Sequence, residues 1–185
     1  GFNNFKYKLP DGTFEKDAST GKDAEGSLPV NFKIYWDGDL LSEFLDGTRI
    51  SKYNPEGYVD VLKIADSCAS NSGTKAVPCI SADLFGDWRE EVVWKNSEEN
   101  ELRIYSTNIP TDYTIPTLMH DAYYRSMIAM QNNHYNQPPN LSYYLGAETT
   151  EVPVPEIYAV KDGQIIKNPD LKNTHSTYKL NGKST

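Results

Sequence analysis

The segment "SCASNSGTKAVPC" holds both cysteines of the chain, Cys68 and Cys79, and between them a single charged residue, Lys75. Their place at the two ends of a short Ser/Asn/Gly loop leads us to expect a Cys68–Cys79 disulfide. By the chain-entropy account it would stabilise by roughly 3 kcal/mol and pin the loop. Two unpaired thiols are the alternative, and without a CxxC spacing two cysteines do not set the redox compartment. A second chemistry lies in two acidic turns. Around Asp83 the chain reads D-L-F-G-D-W-R-E-E, with side-chain oxygens at Asp83, Asp87 and Glu91 and the backbone carbonyl of Arg89 as a further donor. A hard cation such as Ca2+ takes about six to eight oxygens, and alternating side chains of a tight loop can converge on it. Phe85 stands where a full Asp-x-Asp-Gly-Asp loop would place a carboxylate. The earlier turn carries Asp37, Asp39 and Glu43, with Tyr35 at the position of Asp83. Calcium is one reading of these acids; pairing with Arg49 and Arg89 is the other. His120, His134 and His175 are too dispersed to read as a zinc site.

These residues need elements to hold them, and strand signals dominate. "FKIYW", "GYVDVLKIA", "EEVVWK", "ELRIYST", "RSMIAMQ", "LSYYLG", "EIYAV" and "QIIK" are short, rich in Ile, Val, Tyr and Trp, and separated by Asp-Gly, Asn, Ser and Pro. Asp11-Gly12, Asp46-Gly47 and Asp162-Gly163 read as hairpin tips. Helical periodicity is confined to Leu40–Leu45 and to Asp121–Gln131, and the latter reads equally as a turn followed by a strand. The two acidic turns belong to an internal repeat with an offset of 48 residues, Asp39 onto Asp87 and Glu43 onto Glu91. Behind each glutamate come two apolar residues, a turn, and a strand bearing Arg-Ile (Arg49-Ile50, Arg103-Ile104). A period in the forties with several strands per unit is the pattern of a β-propeller blade. The expected fold is therefore all-β, a β-propeller, with blades over 1–150 and closing strands or a C-terminal extension over 151–185.

Composition bounds the partners. The 185 residues carry a net charge of −8 and no Lys/Arg run, which argues against a nucleic-acid partner. No segment approaches the roughly 20 apolar residues of a membrane span, and the chain opens at Gly1 without a signal sequence, as a mature or cut-out chain would. Thirteen tyrosines suit wet, sugar-facing grooves as well as ordinary strands.

The strings "NFKIYWDGDLLSEFLDG", "SNSGTKAVPC", "ADLFGDWREEVVW", "LRIYSTNIPTDYTIPTLMHDAYYR" and "NNHYNQPPNLSYYLG" resemble the C-terminal part of the family 11 polysaccharide lyases, the rhamnogalacturonan endolyases. The match runs from about Asn31 to Gly146. The resemblance implies an eight-bladed, calcium-containing propeller, secreted by bacteria, that cleaves between rhamnose and galacturonate of pectin (rhamnogalacturonan I) by β-elimination. It implies too that this chain supplies only the closing blades of a longer enzyme, the N-terminal blades of the same polypeptide being its partner. Carried onto this sequence, the family's ligand loop falls on Ser72, Gly73, Thr74 and Lys75, with Asn71 one position before Ser72 where the family has asparagine. A ligand-contacting tyrosine falls on Tyr135.

In such an elimination a base removes the C5 proton of galacturonate while the C4 oxygen leaves, and the sugar carboxylate must be neutralised. Lys75 could serve as base, if its amine is held below the ordinary value of about 10.4, or as the neutralising cation. The backbone N–H groups of Gly73 and Thr74 could bind the same anion. A surface lysine on a stapled turn is the bland alternative. Tyr135 offers a ring for stacking, a hydroxyl for hydrogen bonding or a leaving-group acid, or it packs against Pro138 and Pro139. A non-catalytic module that binds pectic sugars remains the competing function, with a purely structural fragment behind it.

Overall fold

Short runs of β-branched and aromatic residues, broken every few positions by Gly, Asp or Asn, give antiparallel strands joined by tight turns. The computed structural model describes residues 32–54, 59–73, 75–133, 136–156, 158–167, 179–180 and 183–184. It contains two compact units, Gly1–Pro153 and Val154–Thr185.

In the first unit, β1 (Phe32–Ile34), β2 (Glu43–Asp46), β3 (Arg49–Tyr53) and β4 (Val59–Ile64) form a four-stranded meander in sequence order. The β2–β3 turn falls one residue later than the Asp-Gly pair predicts. Asp46 closes the ladder against Arg49, and Gly47 takes a φ of 58°, a left-handed value that glycine tolerates without a Cβ clash. The second sheet contains β5 (Cys68–Ala69), β6 (Ile80–Ala82), β7 (Glu91–Asn96) and β8 (Leu102–Tyr105). Val92 and Val93 pair with both β6 and β8, while Lys95 pairs with both β5 and β8. A residue has two edges, so β5 and β6 lie end to end along the edge of β7 opposite β8. The segment between them, with Lys75, is an excursion from one continuous strand line.

That line corrects the disulfide. Both cysteines are free. Cys68 is in register with Asn96 and Ile80 with Val93, so the two stems stand at least two strand positions apart. Such positions are about 7 Å apart with parallel Cβ vectors, whereas a bridge draws Cβ atoms to about 4 Å. The Cys68 thiol turns instead to the Tyr105 hydroxyl, 3.4 Å away.

Phe32, Ile34, Leu45, Ile50, Val92 and Trp94 come from both sheets and form one core with Trp36, Ala65 and Val77. A second core joins Tyr35, Leu40, Trp88, Leu118, Tyr124 and Leu145. The segment "RSMIAMQ" is not a strand: it belongs to the helix α1 (Ala122–Met130), whose N-cap Asp121 accepts from the Tyr123 N–H at 2.9 Å. The cap and the spacing Tyr124, Ile128, Gln131 lay one face on the sheet. Leu40–Leu45 is not helical, since β2 begins at Glu43, and "LSYYLG" is irregular, Leu141, Tyr143 and Leu145 packing into the second core. Among the described residues the chain is thus all-β apart from this helix and a 3-10 turn at Leu118–His120.

The second unit contains the predicted hairpin, β9 (Tyr158–Lys161) with β10 (Gln164–Lys167). Asp162 and Gly163 hold φ values of 52° and 76° at its tip, as a two-residue turn between twisted strands requires. The short strands β11 (Lys179–Leu180) and β12 (Lys183–Ser184) pair beside it in sequence. Asp11-Gly12 lies outside the described residues.

Candidate functional site

The lysine loop is organised by its own polar residues. The Asn71 N–H donates to the Val77 carbonyl at 2.7 Å and the Ala76 N–H to the Ser72 carbonyl at 2.9 Å. The Ser72 hydroxyl accepts from the Lys75 N–H at 3.3 Å. Serine at this position therefore caps the turn that presents Lys75, a half-buried side chain. Val77 is wholly buried and nails the far side of the loop into the first core, and the Gly47 N–H of the β2–β3 turn donates to Ala76 O at 2.8 Å. A Cβ on Gly73 would meet nothing within 4 Å, so the space beside that residue is open to a ligand. Thr74 and Tyr135 lie outside the described residues.

The acidic repeat is visible in three dimensions. β1 and β6, and β2 and β7, start 48 residues apart, and Leu45 against Ile50 corresponds to Val93 against Ile104. In the first copy Glu43 Oε2 accepts from the Trp36 and Asp37 N–H groups at 2.8 and 3.4 Å. In the second, Glu91 Oε2 accepts from Leu84 and Phe85 N–H at 2.9 and 3.0 Å. Asp39 and Asp87 likewise both close a two-residue turn, accepting from Leu41 and Arg89 N–H.

The copies part at the cation. Asp37, Asp39 and Glu43 each give one oxygen to the backbone and turn the other to a common point, their ligand atoms within 4.8 Å of one another. The Lys52 ammonium sits there, bound to Asp37, to Asp39 at 2.5 Å and to Glu43 at 3.4 Å. Burial, then repulsion from Asp37, pushes the Glu43 carboxyl up to about 7. Burial opposes the charge on Lys52, but hydrogen bonds to Asp37 and Asp39 prevail and raise it above the usual lysine value. Asp83, Asp87 and Glu91 do not gather: among the described residues only the first set forms such a group. Asp83 Oδ2 accepts from Thr117 Oγ1 and the Leu118 N–H, capping the 3-10 turn, and its Oδ1 accepts from the Gly86 N–H. Arg89 binds Asp87 at 2.7 Å and the Ile109 carbonyl through its guanidinium.

Several residues that matter were not legible from motifs. Lys52 is one; strand alternation from Ile50 could have marked it. Glu90 is another: its Oε2 accepts from the Tyr35 N–H and its Oε1 from the Tyr124 hydroxyl, inside the protein. Burial raises its pKa and lowers that of Lys33, whose buried ammonium lies 4.5 Å from the Tyr35 ring. Gln131 is a third, its amide pairing with the Ser81 backbone through Oε1 and Nε2 at 2.9 and 2.6 Å.

A largely β scaffold that presents a lysine turn and, separately, a cluster of three carboxylates is the class of protein defined so far. The model of "Rhamnogalacturonan lyase family 11, C-terminal domain" matches residues 12–155, and the chain belongs to that family. It is similar to rhamnogalacturonan endolyase YesW of Bacillus subtilis (strain 168), 52% identical over 130 residues, which cover 70% of this chain and 21% of that protein. Rhamnogalacturonan exolyase YesX of the same organism is 46% identical over 138 residues, 70% of this chain and 22% of the relative. The crystal structure of YesW superposes with a TM-score of 0.65 at 48% identity, over 73% of this chain and 24% of that one. The chain thus spans about a fifth of the length of these curated relatives.

Proposed function

We propose that this chain is the C-terminal part of a secreted rhamnogalacturonan lyase in which Lys75 acts at the galacturonate. Residues 1–150 would form blades of a β-propeller, with 151–185 as closing strands or extension. The observation that carries the reading is the lysine turn itself, capped by Ser72 and anchored by Val77, in a chain whose relatives include both an endolyase and an exolyase. In the reaction the C5–H bond breaks and its proton goes to the base. The electron pair forms the C4–C5 double bond, the C4–O bond breaks, and the leaving oxygen takes a proton. Lys75 is either that base or the cation that neutralises the carboxylate, and Gly73 leaves room for the anion to approach.

The Asp37, Asp39 and Glu43 carboxylates fit a cation, since their free oxygens converge on the Lys52 ammonium. Calcium would be held there by these three residues, with Lys52 displaced, and would supply structural charge neutralisation.

Lys75→Ala in the full-length protein is expected to lower turnover of rhamnogalacturonan by at least about 10²-fold with the fold intact. Formation of the unsaturated uronate is followed by its ultraviolet absorbance. Lys75→Arg keeps partial activity if the residue neutralises charge and none if it is the base, because arginine does not release its proton near neutral pH. Normal turnover in Lys75→Ala refutes the reading and leaves pectic-sugar binding as the function to test.

A further inference from the structure

The lysine loop leaves the sheet edge at Ala69 and rejoins it at Ile80, and a single side chain outside the loop holds both of its ends. Asn132 Oδ1 accepts from Asn71 Nδ2 at 2.6 Å, at the near end. Its Nδ2 donates to the Cys79 carbonyl and, at 3.4 Å, to the Pro78 carbonyl, at the far end. The same Oδ1 accepts from Asn136 Nδ2 at 3.1 Å, in the segment that follows α1. An amide has two N–H donors and two lone pairs, so this one is fully occupied.

Two features make Asn132 an anchor. It holds a φ of 61°, in the left-handed region that asparagine tolerates better than most residues with a side chain. The residue before it, Gln131, is fastened to β6 by its double pairing with Ser81, so Asn132 is carried on the sheet that the loop leaves. Asn132 and Asn71 are both exposed. Exposed hydrogen bonds add little to global stability, so the effect of this clamp falls on the loop.

We infer that Asn132 is a positioning residue: it clamps both stems of the lysine loop and so sets where Lys75 stands. The inference rests on the reading of Lys75 given above. Misplacing a reacting group by about 1 Å can cost about 10²-fold in rate; Val77 and the Gly47 N–H fix the far side of the loop, and Asn132 adds the tie that joins its two stems.

The test uses the full-length protein. Asn132→Gly keeps the left-handed turn and removes the clamp. Asn132→Asp keeps the shape and the acceptor side while setting an oxygen against the Pro78 and Cys79 carbonyls. The expected result for Asn132→Gly is a kcat lowered by about 10-fold or more, KM and melting temperature nearly unchanged, and faster hydrogen exchange at described positions between Ser70 and Pro78. Asn132→Asp should lie between it and the wild type. In a Lys75→Ala background Asn132→Gly should cost nothing further, because it acts through the lysine. An equal loss in that background overturns the inference. Unchanged kcat and exchange in Asn132→Gly, with Lys75→Ala inactive, overturn it and leave the lysine reading standing. Normal turnover in Lys75→Ala overturns both.

Discussion

Two turns 48 residues apart use the same glutamate for the same task and end with different electrostatics. Glu43 and Glu91 each begin a strand and each gather two backbone N–H groups from the turn before it. The third strand then decides the rest. In the first copy it delivers Lys52 to the open side of the carboxylates; in register, the second copy delivers Ser106, whose hydrogen bond only partly offsets the burial that raises the Glu91 carboxyl. Asp37 is matched by Phe85 and Tyr35 by Asp83. The first turn consequently holds the Lys52 ammonium, and the second is an anchor for the 3-10 turn and α1 through Asp83 and Glu90. A repeated backbone fixes the shared carboxylate, and single non-repeated side chains assign its environment.

The largest expected effects test the shared part. Glu43→Ala and Glu91→Ala each remove a buried carboxylate that holds two N–H groups of the preceding turn, and should destabilise by about 3 kcal/mol in chemical denaturation. Similar losses at both sites support the common role; a loss at one alone breaks the comparison.

Next comes the cation. Lys52→Met leaves three carboxylates facing one another and should lower the melting temperature by several degrees in chelator. Millimolar calcium should restore it by mass action, whereas Ser106→Ala should move stability by about 1 kcal/mol or less and show no such rescue. A Lys52→Met protein indifferent to calcium would rule out the first turn as a metal site.

The smallest effect concerns Tyr35, the residue in the place of Asp83. Burial first, then Glu90, raises its phenol above the ordinary value of 10.0, as the same two influences do for Tyr124. The folded state therefore holds these protons more tightly than the unfolded chain. The stabilisation is complete below pH 10 and drains away as pH rises above it. Tyr35→Phe should flatten that alkaline decline, read as melting temperature against pH. An unchanged slope would mean that Tyr35 titrates normally in the fold.

Much of this was legible in the chain itself. Short β-branched and aromatic runs between turn residues marked β1, β4, β7 and β8, and the offset of Glu43 and Glu91 disclosed the repeat and with it β3, because residue type and turn chemistry are local properties. The helix α1 escaped a firm reading, since "RSMIAMQ" suits either period; the Asp121 cap and the packing of Tyr124 and Ile128 settled it. The cysteine spacing favoured a bridge because sequence distance says nothing of Cβ direction, and the collinear strands β5 and β6 hold the thiols apart.

Residue types at fixed short spacing, then, are what the sequence alone determined: the all-β class, the paired acidic turns, the lysine loop and its likeness to one lyase family. The tertiary structure decided which partner each charge meets. Lys52 reaches Asp37 only because β3 folds back on β2, and Asn132 reaches Asn71 only because the helix returns its end to β6. Hydrogen bonds and ion pairs act over about 3 Å, and chain positions 61 residues apart come within that range only when strands and helix have packed.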